Sequence, residues 1–571
     1  MTSTNPGQDG TIERPTGTLV LDRRYAKGGL PAQVHVPDTT LFENLEMSAR
    51  RYPGKTAVQF YGAAYTYGEL LRDAGHMAGY LQQACGVKPG DRVMLFSQNC
   101  PQFIAAYFAI LRAQAVMVPV NAMLLEEELR HIAADSGAVA CFAAQELANQ
   151  LLPLLGQTPL RHVIVHAYGD ALGDDDAGLT VPDWVRVRCS RDSLPDGMVS
   201  WPDALAEGRL PAPYTGKQSD LSMLPYTSGT TGAPKACVHD HRTVMTSVAG
   251  SQLWRNTNCE AVFLAVAPMF HLLGLQNSLN GPIFVGGTIV LLPRWDARTA
   301  AELIERHRVT FWGALPPMLV DFFNQPGIES RDLSSLRVVG GGGAAMPENT
   351  SALMRERYGL QYVEGYGLTE TAAFLFVNPV HKPKPTCLGV RTYGVEAHVI
   401  DPETLQPVPR GEVGEIVVHG GQIMHGYWNN PKANEETFIT LDGKRFFRTG
   451  DLACEDEEGY FFMRDRLKRM INASGYKVWP AEVETLLYRH PAIQETCVIA
   501  ARDAHRGETV KAVVVLKAGH EGITADSLVA WGREHMAAYK APRIVEIVAS
   551  IPRTATGKLA WRTLQEAESM Q

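Results

Sequence analysis

The chain has no apolar run that approaches the ~18 residues of a membrane-spanning helix. The longest candidates, Ala261–Phe270 and Gly281–Pro293, are too short or carry glycine and proline. No transmembrane segment is expected. The first twenty residues lack a signal-peptide core and are broken by Asp9, Glu13 and Arg14, so secretion is not expected either. There is no excess of basic charge: 53 Lys and Arg face 61 Asp and Glu, a net charge of −8, which argues against a nucleic-acid binder. The nine cysteines include no CxxC pair and are odd in number. That usage points to a reducing, cytoplasmic setting without a structural zinc site.

At 571 residues and 45% hydrophobic composition, the chain is too long for one core, and two or more packed units are expected. Residues 1–38 are rich in Gly, Pro, Thr and charge and read as a tail. From residue 39 short apolar strands alternate with amphipathic helices. TAVQFYGAAYTY reads as a hairpin, YGELLRDAGHMAGYLQQA as a long helix, DRVMLFS and VMVPV as strands, and FIAAYFAILRAQA as an apolar helix. That alternation predicts an α/β fold of mostly parallel, helix-covered sheets. Near residue 395 the pattern shifts to short strands and turns, a small β unit running to about 464. From 469 to 571 it reads as a smaller α+β domain. No repeat of fixed period is present.

Tyr226-Thr-Ser-Gly-Thr-Thr-Gly-Ala-Pro-Lys235 is the most specific local signal. Thr227, Ser228, Gly229, Thr230, Thr231 and Gly232 have no bulk, so backbone N–H groups and hydroxyls can converge on an anion while Lys235 adds a positive charge. The segment is built to hold polyphosphate, yet it is not GxxxxGK[ST], because proline separates the last glycine from the lysine. Three further stretches follow: Gly365-Tyr-Gly-Leu-Thr-Glu-Thr371, Arg448-Thr-Gly-Asp451 with Asp465-Arg466, and Pro552-Arg-Thr-Ala-Thr-Gly-Lys558.

Together, and in this order, these four motifs resemble those of the AMP-forming adenylating enzymes: acyl-CoA synthetases, peptide-synthetase adenylation domains and beetle luciferases. The resemblance covers residues 40 to 565. It implies ATP, Mg²⁺ and CoA as reactants beside a small-molecule acid. By resemblance Lys558 bridges the acid's carboxylate and the α-phosphate, Thr369 contacts a phosphate oxygen, and Glu370 is the Mg²⁺ ligand. Tyr366 would lie against adenine, with Gly342, Gly343 and Ala344 lining the same pocket. Asp451 and Arg466 suit the ribose hydroxyls, an acceptor and a donor respectively. His271 falls where the family places a histidine at the mouth of the acyl pocket, a position better suited to orienting the carboxylate than to proton transfer. His239-Asp240-His241 has alternate residues on one strand face, but no third metal ligand is apparent near it.

The resemblance also implies two half-reactions separated by a rotation of a mobile C-terminal domain, with 465–468 as the hinge and Lys468 absorbing most of the dihedral change. Ser474, Gly475 and Lys477 would then receive CoA. Luciferases and coumarate ligases tend to have lysine where Asn472 stands, whereas acetate-type synthetases show an N-x-S-G run like this one. The departure favours thioester synthesis over light emission. The sequence continues for thirteen residues after Lys558, so an attached carrier domain is not expected there.

The acyl pocket is expected from the segments near 254, 271–278, 311–316, 340–344 and 372–376, including Trp254, Leu272, Leu273, Leu275, Trp312, Ala314, Ala372, Ala373 and Phe374. None of these is charged, so an apolar acid is implied, because a second charge would be buried unpaired. The texture looks closest to medium- or long-chain fatty acid CoA ligases. The alternatives are an aryl acid CoA ligase of the benzoate or cinnamate type, transfer of the acyl group to a separate carrier protein, and a nucleotide-binding protein without catalysis. Peripheral membrane contact and a homodimer are compatible with the sequence.

Overall fold

The computed structural model describes residues 18–21, 30–174, 178–189, 194–227, 234–343, 346–473, 476–503, 507–520, 522–553 and 559–570. Ser228, Gly229, Thr230, Thr231, Gly232, Ala344, Ser474, Gly475 and Lys558 lie outside them, as does the side chain of Lys477. The chain divides into two compact units. One comprises Met1–Glu396 and His419–Phe447, the other Ala397–Val418 and Arg448–Gln571. The sequence pattern places the break at 465 instead.

The first unit carries two sheets. A seven-stranded sheet runs, edge to edge, through His239–Asp240, Leu221–Met223, Val116–Val120, Arg92–Phe96, Ala140–Ala144, His162–His166 and Met198–Ser200. A nine-stranded sheet runs through Val390–Arg391, Phe376–Val377, Tyr362–Tyr366, Val338–Gly341, Phe311–Gly313, Val262–Ala265, Thr288–Leu291, Thr56–Phe60 and Ala63–Thr66. Their inner strands pair in parallel. Antiparallel pairing appears at the ends, including the expected hairpin at Thr56–Thr66.

Local chemistry sets the helix starts. Thr40 and Thr66 each cap a helix, Leu41–Arg51 and Tyr67–Gln83, through a reciprocal bond with the glutamate three residues on. The helix Pro101–Arg112 is buried from Pro101 to Leu111, as its nearly uninterrupted apolar sequence requires. The residues read as a tail include a strand, Thr18–Val20, paired with Gln33–His35. The carbonyls of Pro31 and Pro37 accept hydrogen bonds from Tyr393 and Gln218, so this part of the tail is fastened to the body.

In the second unit Tyr476–Val478, Ile471–Ala473, Gly507–Leu516 and Ile493–Asp503 form a sheet in that order, with Ile544–Ile547 beside Gly507–Leu516. Helices Pro480–Leu487 and Ala525–His535 contribute Val483, Leu487 and Leu528 to a core with Val498, Val510 and Val514. This is the α+β arrangement the sequence predicts.

Candidate active site

In a parallel sheet the carboxyl ends of the strands open toward ligands, and the motifs of the first unit lie there. The strand Val338–Gly341 leads into Gly342 and Gly343, and Tyr362–Tyr366 leads into Gly367 and the short turn Thr369–Thr371. A Cβ on Gly342 would sit 2.1 Å from the Gly365 carbonyl oxygen, and one on Gly367 only 1.7 Å from that of Ala373. Glycine is needed at both for the two strand ends to close up. The Tyr366 ring stacks on Phe376 at 5.7 Å.

After Thr371 the backbone turns through two non-glycine residues with positive φ, Ala372 at 48° and Ala373 at 80°. Such a conformation costs ~1–3 kcal/mol per residue and persists only when neighbours hold it. Here the Ala372 carbonyl accepts bonds from Ser247 Oγ at 2.7 Å and Gln276 Nε2 at 3.2 Å. Gln276 opens a π turn, Gln276–Asn280, that continues the helix Leu272–Leu275 directly after His271. The turn bearing Thr369 and Glu370 is thereby tied to the segment bearing His271. Asn99, fully buried, braces the approach to that histidine through the Ala267 carbonyl and the Met269 N–H. The His271 ring meets Phe270 edge-on.

The phosphate-loop residues enter on a hairpin. Tyr226–Thr227 pairs with Lys235–Ala236, placing Thr227 opposite Lys235. Tyr226 donates to Asp135 at 2.6 Å, which fixes the hairpin's base. Lys235 Nζ lies 5.1 Å from the centre of the Tyr427 ring, and the Tyr427 hydroxyl donates to Glu370 Oε1 at 2.7 Å. A cation, a hydroxyl and a carboxylate from three distant stretches therefore meet, the donor set that polyphosphate and a hard divalent cation require.

In the second unit Asp451 and Arg466 face each other across paired strands, with Arg466 Nε 3.0 Å from Asp451 Oδ1. Asp451 is buried and the Arg466 side chain half-exposed. The preceding Arg448 is structural: it donates through two nitrogens to the buried Glu415, whose other oxygen accepts from Gly450 N–H. Asp465 accepts from its neighbour's N–H and from Ala481 N–H at the start of helix Pro480–Leu487. Burial pushes its carboxyl up, against the opposing pull of Arg469 and these two bonds.

A family model for AMP-binding enzymes matches residues 45–428, and one for the C-terminal domain of AMP-binding enzymes matches 482–558. The chain belongs to the AMP-binding enzyme family. It is 34% identical to a long-chain-fatty-acid–CoA ligase of Bacillus subtilis, across 95% of this chain and 96% of the relative. It is 35% identical to a feruloyl-CoA synthase of Amycolatopsis, across 90% and 95%. ATP-bound MatB from Rhodopseudomonas palustris superposes with a TM-score of 0.81 at 27% identity, covering 93% of this chain and 99% of that one. The enzyme is thus of the AMP-forming acyl-CoA ligase class, which uses ATP with Mg²⁺ and takes CoA as co-substrate. Among its described residues no helix is long and apolar enough to cross a membrane.

The contacts of three residues of this AMP-binding enzyme escaped the sequence reading. Tyr427 contacts Glu370 from 57 positions away. His239 donates from Nε2 to the Thr369 carbonyl at 2.8 Å, while its Nδ1 bonds Thr243 Oγ1. Burial pulls its pKa down to about 4, so the ring is neutral. The neighbouring His241 instead accepts from Leu41 N–H. The third is Arg255. Its guanidinium lies 4.9 Å from the Phe311 ring centre and 5.5 Å from that of Phe374, and donates to Asn277 Oδ1 at 2.6 Å. The expectation of uncharged pocket segments is corrected here: an arginine stands against three of them. Trp312 is corrected as well. Strand alternation turns it away from Phe311 and Gly313, and it packs on Trp295 and Phe322.

Proposed function

We propose that the enzyme joins a carboxylic acid with an apolar body, in the first instance a medium- or long-chain fatty acid, to CoA through an acyl adenylate. The reading is carried by the Ala372 turn, whose carbonyl is held by Ser247 and Gln276. It couples the phosphate-facing pair Thr369–Glu370 to the helical segment after His271, so one turn serves both the nucleotide and the acyl end.

In the first step a carboxylate oxygen attacks the α-phosphorus and the bond to pyrophosphate breaks. Phosphoryl transfer is mostly positioning and charge stabilisation. Lys235, Thr227 and the loop Ser228–Gly232 hold the β- and γ-phosphates, Thr369 an α-phosphate oxygen, and Lys558 both the α-phosphate and the incoming carboxylate. Glu370, oriented by Tyr427, would hold Mg²⁺, whose charge would offset that of the phosphates. Tyr366, with the Gly342–Ala344 backbone, positions adenine. Asp451 and Arg466 take the ribose hydroxyls, and His271 orients the carboxylate. In the second step the CoA sulfur attacks the acyl carbon and AMP leaves; Ser474, Gly475 and Lys477 receive the pantetheine arm and a CoA phosphate. None of the nine cysteines is in a disulfide, which fits a cytoplasmic setting.

The similarity to a feruloyl-CoA synthase supports ring acids as a second substrate class. The test is AMP release with ATP and Mg²⁺ across C2 to C18 fatty acids, benzoate and cinnamate, with and without CoA. A CoA-dependent maximum among the linear acids is expected, abolished in Lys558→Ala. Release of AMP by that variant at the wild-type rate would overturn the role of Lys558. Thioester formation with ring acids alone would move the assignment to the second class.

A further inference from the structure

Arg255 follows the last residue of helix His241–Trp254. Its described partners are the rings of Phe311 and Phe374 and the amide oxygen of Asn277. Burial alone moves its pKa, down to about 10, and no carboxylate acts on it. It is therefore charged at neutral pH, deep in protein, with one hydrogen bond for a group that has five N–H donors. Arg469 has Asp465 and Glu484, and Arg448 has Glu415, whereas Arg445, also withdrawn from solvent, rests on the Phe438 ring and the His425 carbonyl. A buried cation without a counter-charge is expensive, and what normally offsets it is an anion. Yet Arg255 is not sealed, since part of its surface stays accessible.

The neighbours of Arg255 say which site it serves. Asn277 lies in the π turn that begins five residues after His271, a distortion frequent at functional sites. Gly313 lets Asn277 lie against the sheet, for a Cβ there would be 3.1 Å from the Asn277 Cβ. Phe374 follows directly on the strained Ala372–Ala373 turn. Every partner of Arg255 thus belongs to a segment flanking the acyl site, and near Asn277 the buried Ser278 Oγ also has no hydrogen-bond partner.

We infer that Arg255 is a specificity-determining residue of the acyl pocket, and that the acid it selects carries a second carboxylate at its far end. The inference rests on the acyl-CoA ligase reading and replaces its fatty acid with a diacid of similarly apolar body. One carboxylate is activated near Thr369 and His271, and the other pairs with Arg255, assisted by Asn277. Along the helical segment, His271 to Asn277 spans about 9 Å, the length of a saturated chain of roughly six to eight carbons. The apolar body of the substrate lies against Leu272, Leu275 and Phe374.

The test compares matched acids on the wild-type enzyme: C6, C8 and C10 α,ω-dicarboxylic acids, their monomethyl esters and the fatty acids of equal length. CoA-thioester formation gives kcat/KM for each. The diacid is expected to exceed its monomethyl ester by roughly 10- to 100-fold, the worth of a hydrogen bond to a charged group. In Arg255→Met that ratio should fall below one, and Arg255→Lys should restore part of it. A ratio between two substrates is insensitive to the fraction of variant that folds. If the wild-type enzyme uses the fatty acid or the ester as well as the diacid, the inference is wrong while the ligase reading stands. If no acid of any kind releases AMP, the ligase reading itself falls. A ratio equal in wild type and Arg255→Met would mean that Arg255 only braces Phe311 and Phe374, and would likewise overturn the inference.

Discussion

Tyr427 illustrates what one hydroxyl contributes at this site. Its bond to Glu370 fixes the carboxylate while Lys235 approaches the same ring, and burial and the adjacent Glu370 both raise its pKa, keeping the phenol protonated as a donor. Tyr427→Phe retains the ring and removes only that donor. Adenylation kcat/KM should fall about 10-fold, the value of one hydrogen bond to a charged acceptor, and the Mg²⁺ concentration for half-maximal rate should rise. Pyrophosphate release titrated with Mg²⁺ checks this; an unchanged Mg²⁺ dependence would dissociate Tyr427 from the metal role of Glu370. Glu370 stands out in the sequence because it lies in a dense motif. Tyr427 was not, because a tyrosine among glycine and tryptophan says nothing about a partner 57 positions away. Arg255 was hidden by its surroundings: RNTN after an apolar helix reads as a solvated helix end, and only the fold brings Phe311 and Phe374 over it.

At the scale of an element, the strand Tyr362–Tyr366 places Glu364 in the interior beside the motif it delivers. Burial pushes the Glu364 carboxyl up to about 7 from 4.5, although the Cys387 N–H bonded to it pulls the other way. Below about pH 4.5 folded and unfolded chains both hold the proton. Between 4.5 and 7 the unfolded chain releases it while the folded one retains it, so stability declines as pH rises through this window. Above 7 the deficit is constant. The buried histidines His166, His239 and His241 act oppositely, being held neutral with pKa values lowered to about 3, 4 and 4. Their contribution is lost as pH falls below 6.5, so the informative quantity is a difference between proteins. Glu364→Gln should gain stability over wild type on going from about pH 5 to about pH 8, by up to about 3 kcal/mol. Urea unfolding at the two pH values measures it; identical pH dependence in both proteins would exclude Glu364 as the source. The strand itself was poorly legible, since a short apolar run interrupted by Glu364 lacks a clean period. Strands such as VMVPV and HVIVH, buried and uninterrupted, were readable directly.

Across the whole molecule, the order of motifs along the chain was enough to read two successive chemical steps, but compactness draws its boundary elsewhere. The sequence marks 465–468 as the joint, whereas the division into units falls at Phe447–Arg448 and brackets Ala397–Val418. Around the expected joint the second unit is firmly made. Asp465 holds the start of helix Pro480–Leu487, and Arg469 is buried between Asp465 and Glu484. Between them Lys468 sits exposed in the single turn Leu467–Arg469, the place where a change of dihedral disturbs least packing. If the two half-reactions require different settings of this turn, a proline there should separate them. Lys468→Pro fixes φ near −65° and also restricts Leu467, while removing no side chain from the core. One half-reaction should persist and the other fall by roughly 10-fold or more, as hinge variants alter rates far from the chemistry. Adenylate formation from acid and ATP, and thioester formation from pre-formed acyl adenylate and CoA, are measured separately. Equal loss in both would point to general damage, and equal retention would mean that the enzyme completes both steps without bending at Lys468.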